Sequence, residues 1–502
     1  MLEKYYEAIE KKQNVRESLS ELRKLCKEEE VRRECKAFFE EHLQLLESCL
    51  DEEDPKIRKN AVLLMGDLSL GKAVDVLMER YEQEDVLFIR SSYVKALAKL
   101  PVQKYVEQFA KVLAELEARE AAQEDKKHID EEIRELRKLV TGANGVTRHR
   151  FTGLPESREI LLLTNRAGRE ATMRELGRTA GSFRRDAKMK EHALGVLVKT
   201  DDIVTVKKLR TFRELVFPLH TGGLLPPEPE KAARILAQSD LVSFLTGTHQ
   251  EKAPFYFRVE IKSAMPLDKR STFAKKLAME LERETKRALL NSTTDYEVEL
   301  RLISNREGNF FPVVKLFTIP MKRFAYRKNT ISASIHPAMA AMFMELASPY
   351  FKEDAQILDP FCGVGTMLIE RNQRMPVRES YGIDIFGEAI EKARENTLAA
   401  GAHVNYIHRD YFDFRHEYPF DEIVTNMPMR GKKSKEEMNV FYHRFFEKSK
   451  EILAKNGLII MYTNEAGFVR KELRLQKEYK LLQDFVISEK DEFHLYVIEL
   501  KR

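Results

Sequence analysis

At 502 residues, with 43% apolar and 33% charged positions, the chain is long for a single hydrophobic core and is expected to divide into two to four folded domains. No apolar run reaches the length of a membrane span and the opening MLEKYYEAIEKK has no signal-like apolar stretch, so membrane and secretory roles are not expected and a cytosolic setting is. The formal net charge is only +4, yet the basic residues bunch, and clusters with interleaved aromatics suit a phosphate backbone with stacked bases.

Residues 1–140 show no strand alternation and almost no Gly or Pro, which predicts an all-helical domain. Within it Asp54–Leu68 resembles Glu84–Leu100, with Ile57-Arg58 matching Ile89-Arg90 at a spacing of 32. That period fits stacked helix pairs of the HEAT kind, which bury their apolar faces on one another. Such a domain is a candidate to dock a protein partner or to extend an RNA-contacting surface. A strongly charged stretch, AKVLAELEAREAAQEDKKHIDEEIRELRKLV, reads as one further helix ending at Gly142. Turn formers in TGANGVTRHRFTGLPES mark a linker over 141–157. The cysteines Cys26, Cys35, Cys49 and Cys362 match neither a redox pair nor a zinc site, and no metal is expected.

From Arg158 strands and helices alternate. REILLLTN, ALGVLVKT and ELVFPLHTG read as strands and AGREATMREL as a helix, giving a first α+β domain over 158–245. A second, over 246–322, comprises the strand FYFRVEIKS, the helix RSTFAKKLAMELERETKRALL, and the strands YEVELRLISN and FFPVVKLFTI. Basic residues gather along these segments: Arg184 and Arg185 in RRDAKMK, Lys207, Lys208 and Arg210 in KKLRTFR, Arg258 in the strand, and Lys322, Arg323 and Arg327 in MKRFAYRK. All are candidate RNA contacts.

The third region, 323–502, opens on a capped helix, SIHPAMAAMFMELASPY. Strands AQILDPF, ESYGIDI, NYIHRDYFDF, FDEIVTNMP and GLIIMYTNEA follow, mostly separated by helices, and YKLLQDFVI with EFHLYVIEL closes the chain as a hairpin. This is a doubly wound α/β sheet of Rossmann-like type, with its site at the strand tips. The first strand runs into DPFCGVGT, a glycine-bearing turn that lacks both the GK[ST] ending of a phosphate loop and the full dinucleotide fingerprint. Gly363 and Gly365 let backbone approach a ligand, Thr366 opens the helix, and Asp359 faces an ammonium group. Phe361 packs either on the ligand or beneath the turn. Asp384 ends the next strand, placed to accept from ribose hydroxyls, and Asp410 ends the one after, where its carboxylate or the adjoining backbone meets an adenine amine. Together these positions describe S-adenosylmethionine better than NAD or ATP. The fourth strand ends in TNMPMRG. Asn426 and the carbonyl before Pro428 offer two acceptors for an exocyclic amine, Met429 lies against a base face, and Arg430, Lys432 and Lys433 are rim contacts for phosphate.

These motifs resemble the THUMP-domain RNA methyltransferases, particularly the branch that forms N2-methylguanosine. The resemblance covers residues 158–502: DPFCGVGTMLIE is similar to that family's cofactor motif and SIHPAMAAMFMELA to the helix before it, while FRVEIKS and LLLTNRAGREATMREL look like its THUMP and ferredoxin-like segments. It implies S-adenosylmethionine as cofactor and guanosine in RNA, commonly tRNA, as substrate. Two departures stand out. NMPM places Met429 where the family carries an aromatic, which leaves open weakened base stacking, altered substrate choice or lost activity, and the helical region before residue 140 is an addition. Competing expectations are an rRNA guanine-N2 methyltransferase, a protein amide methyltransferase, and a non-catalytic RNA-binding scaffold.

Overall fold

The computed structural model describes residues 2–118, 125–144, 149–185, 187–332 and 334–501. It divides into two compact units, residues 1–147 and 148–502.

The first unit is helical throughout its described residues. The helix Pro55–Asp67 starts where the sequence says it should: Asp54 accepts from the Lys56 amide at 2.8 Å and Pro55 supplies a preset φ at the first turn. The internal repeat is expressed in side chains. Arg58 donates to the Glu52 carbonyl at 2.8 Å and pairs with the Glu84 carboxylate, while Arg90, in the matching place on the helix Leu87–Leu97, donates to the Glu84 carbonyl at 2.8 Å and pairs with buried Glu132. Glu84 therefore serves one arginine with its side chain and the other with its backbone. The two helices pack where a Cβ on Gly66 would lie 2.6 Å from the Ala96 Cα, so only glycine fits there. The long charged helix expected after residue 110 is instead two packed helices, Val106–Ala118 and Lys126–Asn144, the second running past Gly142. Each carries its own apolar stripe, Phe109 on one and Leu136 and Leu139 on the other, and folding them together buries both.

Among its described residues the second unit contains two sheets. Strands β1 (Arg158–Leu163), β2 (Lys188–His192), β3 (Gly195–Thr200), β4 (Glu214–Pro218), β5 (Phe255–Lys262), β6 (Leu289–Asn291), β7 (Val298–Ser304) and β8 (Phe310–Leu316) form one eight-stranded sheet in the order β2-β3-β1-β4-β8-β7-β5-β6. The join lies between β4 and β8, where Phe217 pairs with Val314. One core of buried residues, from Ile160 to Ile319, runs across both halves, so segments 158–245 and 246–322 share an interior. Sequence pattern passed over β2, hidden in a basic run, and the helices Pro229–Gln238 and Leu241–Thr248. The helix expected to reach Leu290 stops at Glu284, because Lys286 and Arg287 turn the chain with positive φ and the next residues become β6. Part of the expected linker, residues 145–148, lies outside the described residues. The remainder is docked rather than free: Phe151 bridges to His249, Thr152 donates to the Thr248 carbonyl at 2.8 Å, and His149 sits 2.7 Å from Glu297.

The second sheet comprises β9 (Gln356–Asp359), β10 (Glu379–Asp384), β11 (Asn405–His408), β12 (Phe420–Asn426), β13 (Leu453–Thr463), β14 (Tyr479–Ser488) and β15 (Phe493–Leu500), ordered β11-β10-β9-β12-β13-β15-β14. The first five neighbours run parallel, and the last two strands pair antiparallel as their pattern suggested. Order reverses between β9 and β12, which opens a crevice at their carboxyl ends. The helix Thr366–Arg374 is tied to this crevice from behind: Arg371 donates to both Glu422 oxygens at 2.8 and 3.0 Å, with both side chains fully buried. Breaking such a buried pair on one side strands a charge.

Candidate functional site

Asp359 ends β9 and the chain then turns sharply into the helix Thr366–Arg374. Gly363 and Gly365 have φ of 52° and 80°, conformations that side chains resist, and a Cβ on Gly365 would lie 2.1 Å from the Tyr406 hydroxyl. The turn is held from two sides. Asp384, at the end of β10, accepts from the Gly363 amide at 2.9 Å with one oxygen and from the Phe386 amide at 2.9 Å with the other. Asn396 is fully buried and bridges two loops: its amide donates to the Val364 and Asn329 carbonyls, and its oxygen accepts from the Lys328 and Asn329 amides. Nothing in the sequence marked Asn396, because its partners are scattered along the chain.

Asp359 is 1% exposed and accepts from the Phe361 amide at 3.1 Å. Burial, aided by the neighbouring Asp384 charge, raises its carboxyl to about 7. A carboxyl held near 7 is only part-ionised at neutral pH, and an adjacent positive group favours its charged form. Thr366 is buried and its hydroxyl has no partner in the structure, an orphan that a ligand in the turn can satisfy. Asp410 does not end β11, which stops at His408; it caps the turn Tyr411–Asp413 by accepting from the Phe412 amide at 2.9 Å, and its carboxylate is exposed.

Asn426 ends β12, next to β9, and among the described residues its side-chain amide makes no hydrogen bond. Met427 is buried and its amide donates to the Tyr462 carbonyl at 3.0 Å, so the turn is pinned with the Met427 carbonyl leading into Pro428. Met429 is 55% exposed. Arg430 donates to the Lys433 carbonyl, Lys432 and Lys433 are exposed, and the Lys433 ammonium lies 5.0 Å from the centre of the Phe441 ring. Of the apolar groups near the turn, sequence pointed to Phe361 alone. Ile385 and Phe386, exposed beside Asp384, face no core, and Phe361, Phe412 and Phe441 form an aromatic cluster with centroids 5.4 and 5.7 Å apart.

The expected RNA contacts separate into two groups. Arg184, Arg185, Lys208 and Lys322 are exposed and Lys207 is half-buried, with Arg185 paired to Asp201. Arg210, Arg258, Arg323 and Arg327 are engaged within the protein and, contrary to expectation, are not free to hold phosphate. Arg210 grips Glu370, Arg258 pairs with Glu299, Arg323 donates to the Leu209 and Phe212 carbonyls, and Arg327 donates to the Ile335 carbonyl. A buried guanidinium needs such partners, and clusters in sequence do not reveal which arginines have them.

Residues 325–489 match the family model described as RMKL-like, methyltransferase domain. The chain is 30% identical over 155 residues to the tRNA (guanine(10)-N2)-dimethyltransferase of Methanothermobacter thermautotrophicus, a match covering 30% of this chain and 45% of that protein. It is 27% identical over 161 residues to the U6 snRNA (guanine-N(2))-methyltransferase THUMPD2 of Bos taurus, covering 30% and 29%. The match spans less than half the length of either relative. Among solved structures, TrmN from Thermus thermophilus superposes with a TM-score of 0.52 at 19% identity, covering 68% of this chain and 99% of that one. A protein solved in complex with SAH gives 0.51 at 16% identity, covering 69% and 99%. The fold is therefore that of these methyltransferase-type α/β proteins.

Proposed function

We propose that this protein is an S-adenosylmethionine-dependent RNA methyltransferase acting on the exocyclic N2 amine of guanosine, with tRNA as the preferred substrate class. One observation carries the reading: the glycine turn after Asp359 and the unpartnered Asn426 before Pro428 stand at the tips of adjacent parallel strands. Named relatives that methylate guanine N2 in tRNA and in U6 snRNA support the substrate class.

In this reading Asp359 meets the amino-acid ammonium, Asp384 the ribose hydroxyls, Thr366 the amino-acid end, and Ile385, Phe386 and Phe441 the apolar faces of adenine. The bound cofactor supplies an electrophilic methyl group on a sulfonium. Asn426 Oδ1 and the Met427 carbonyl accept the two N–H bonds of the amine and orient its lone pair for in-line attack. With the cofactor bound, the amine nitrogen would take the methyl group as its bond to sulfur breaks, and the surplus proton on nitrogen would leave to solvent. Met429, exposed at the mouth, packs against a base turned out of its stack. Arg184, Arg185, Lys207, Lys208, Lys322, Arg430, Lys432 and Lys433 hold phosphates.

We read the segments 158–245 and 246–322 as ferredoxin-like and THUMP layers fused through β4 and β8, and residues 1–140 as HEAT-like repeats, supported by the matched Arg58 and Arg90 contacts. Cytoplasmic residence belongs to the same proposal; among the described residues no helix is long and apolar enough to cross a membrane. Incubating purified protein with methyl-labelled S-adenosylmethionine and unmodified tRNA, followed by nucleoside mass spectrometry, is expected to yield N2-methylguanosine. Label in protein but not RNA, or no cofactor binding by calorimetry, would refute the proposal.

A further inference from the structure

The helix that begins at the glycine turn does not stand on its own sheet alone. Glu370, one turn beyond Thr366 and 1% exposed, receives two bonds from Arg210, at 2.9 Å from Nε and 2.7 Å from Nη2. The Tyr326 hydroxyl adds a third at 2.6 Å. Arg210 follows β3 and leads into β4, in the eight-stranded sheet, and is itself held there. Its amide donates to both oxygens of buried Glu175, and its remaining guanidinium nitrogen donates to the Arg323 carbonyl at 2.8 Å. Arg323 answers by donating to the Leu209 and Phe212 carbonyls on either side of Arg210. A bidentate guanidinium–carboxylate contact fixes both distance and orientation, unlike a point charge such as lysine.

What surrounds this contact gives it a role. Lys207 and Lys208 lie three and two residues before Arg210, and Lys322 adjoins Arg323, so half-buried Lys207 and the exposed Lys208 and Lys322 are covalently close to the arginines facing inward. In the other direction the helix carries Thr366, the orphaned hydroxyl of the turn. A second tie holds the far end of the helix: Glu345 forms an ion pair with Arg374, at the end of the same helix, with the nearest nitrogen and oxygen 2.8 Å apart, and accepts from Arg178, on the helix Arg166–Thr179, at 2.7 Å.

We propose that Arg210 and Glu370 form a positioning contact which sets the register between the RNA-holding face of the eight-stranded sheet and the cofactor turn, so that methyl transfer depends on it while binding of either ligand does not. This rests on the RNA methyltransferase reading. A small misplacement of two bound reactants lowers the rate of reaction without loosening either one. Neither Arg210 nor Glu370 touches the reacting atoms.

The test compares full-length wild type with Glu370→Gln, Arg210→Lys, Arg210→Ala and Tyr326→Phe. For each, S-adenosylmethionine affinity, unmodified-tRNA affinity, kcat on tRNA and melting temperature are measured. Expected are ligand affinities within about twofold of wild type and a kcat at least about tenfold lower for Glu370→Gln and Arg210→Ala, with Arg210→Lys between them and wild type. Tyr326→Phe, which removes only the third bond, keeps the comparison alive if a charge variant fails to fold, and a kcat about threefold lower is expected of it. An unchanged kcat across the folded variants overturns the proposal, and so does a kcat loss matched by an equal loss of either affinity. Wild type that binds cofactor but methylates no RNA refutes the functional reading itself, and the positioning role falls with it.

Discussion

The two units of this chain carry opposite charge. Residues 1–147 hold 26 Lys and Arg against 32 Asp and Glu, a net of −6, whereas residues 148–502 hold 59 against 49, a net of +10. The modest whole-chain charge is thus the sum of an acidic helical unit and a basic α/β unit. Electrostatic attraction of a polyanion belongs to the second, and the first repels it. Of the two roles expected for the helical unit, docking a protein partner agrees with this charge better than extending an RNA surface.

The largest effect that would break this contrast is catalytic. Asn426→Ala, in the basic unit, is expected to lower methyl transfer by about a hundredfold or more, read as labelled tRNA per minute, with the fold unchanged by circular dichroism. In the acidic unit the matching large effect is on stability. Glu132 is buried against Arg90 and the Tyr81 hydroxyl, so Glu132→Ala leaves a guanidinium unpaired at a cost of about 3–5 kcal/mol, seen as an earlier denaturation transition, with transfer by the folded protein within about twofold of wild type. A loss of transfer by correctly folded Glu132→Ala would mean that the units are not separable in function.

Smaller effects sharpen the same contrast. Replacing Lys207 and Lys208 by alanine is expected to weaken tRNA binding and reduce the slope of log K against log salt by about one for each residue that contacts phosphate. The same change at Lys56 and Lys59, in the helical unit, is expected to leave that slope alone. The smallest effect is in pH. Asp359 titrates near 7 when folded and near 4 when unfolded, so the unfolded state releases its proton first as pH rises. Its contribution to stability is full below about 4, falls between about 4 and 7, and is constant above. A cationic ligand favours the ionised form, so S-adenosylmethionine affinity should rise as pH passes through 7 with proton release on binding, and Asp359→Asn should abolish that release, as calorimetry in buffers of different ionisation enthalpy would show.

How much of this was legible in sequence depended on how local each signal was. Asp359, Gly363, Gly365 and Asn426 could be proposed from sequence because they lie in contiguous runs at strand ends. Asn396, Ile385, Phe386 and Phe441 could not be, since they lie on separate helices and turns with no shared run in the sequence. Arg210 and Lys208 look alike in a basic run, and what distinguishes them is a carboxylate 160 positions away. The charged helices near residue 120 were read as one because periodicity reports an apolar stripe but not the reversal that lets two stripes face each other.

The strand Phe493–Leu500 lies inside its sheet, between β13 and β14, although among the described residues it is the last strand in chain order. During translation the helical unit has all its residues long before then, but the crevice-bearing sheet lacks an interior member until residue 500 leaves the ribosome. An interrupted or clipped product would therefore display a folded acidic unit beside an unfinished sheet with the flank of β13 unpaired, a ready target for aggregation or cellular proteolysis.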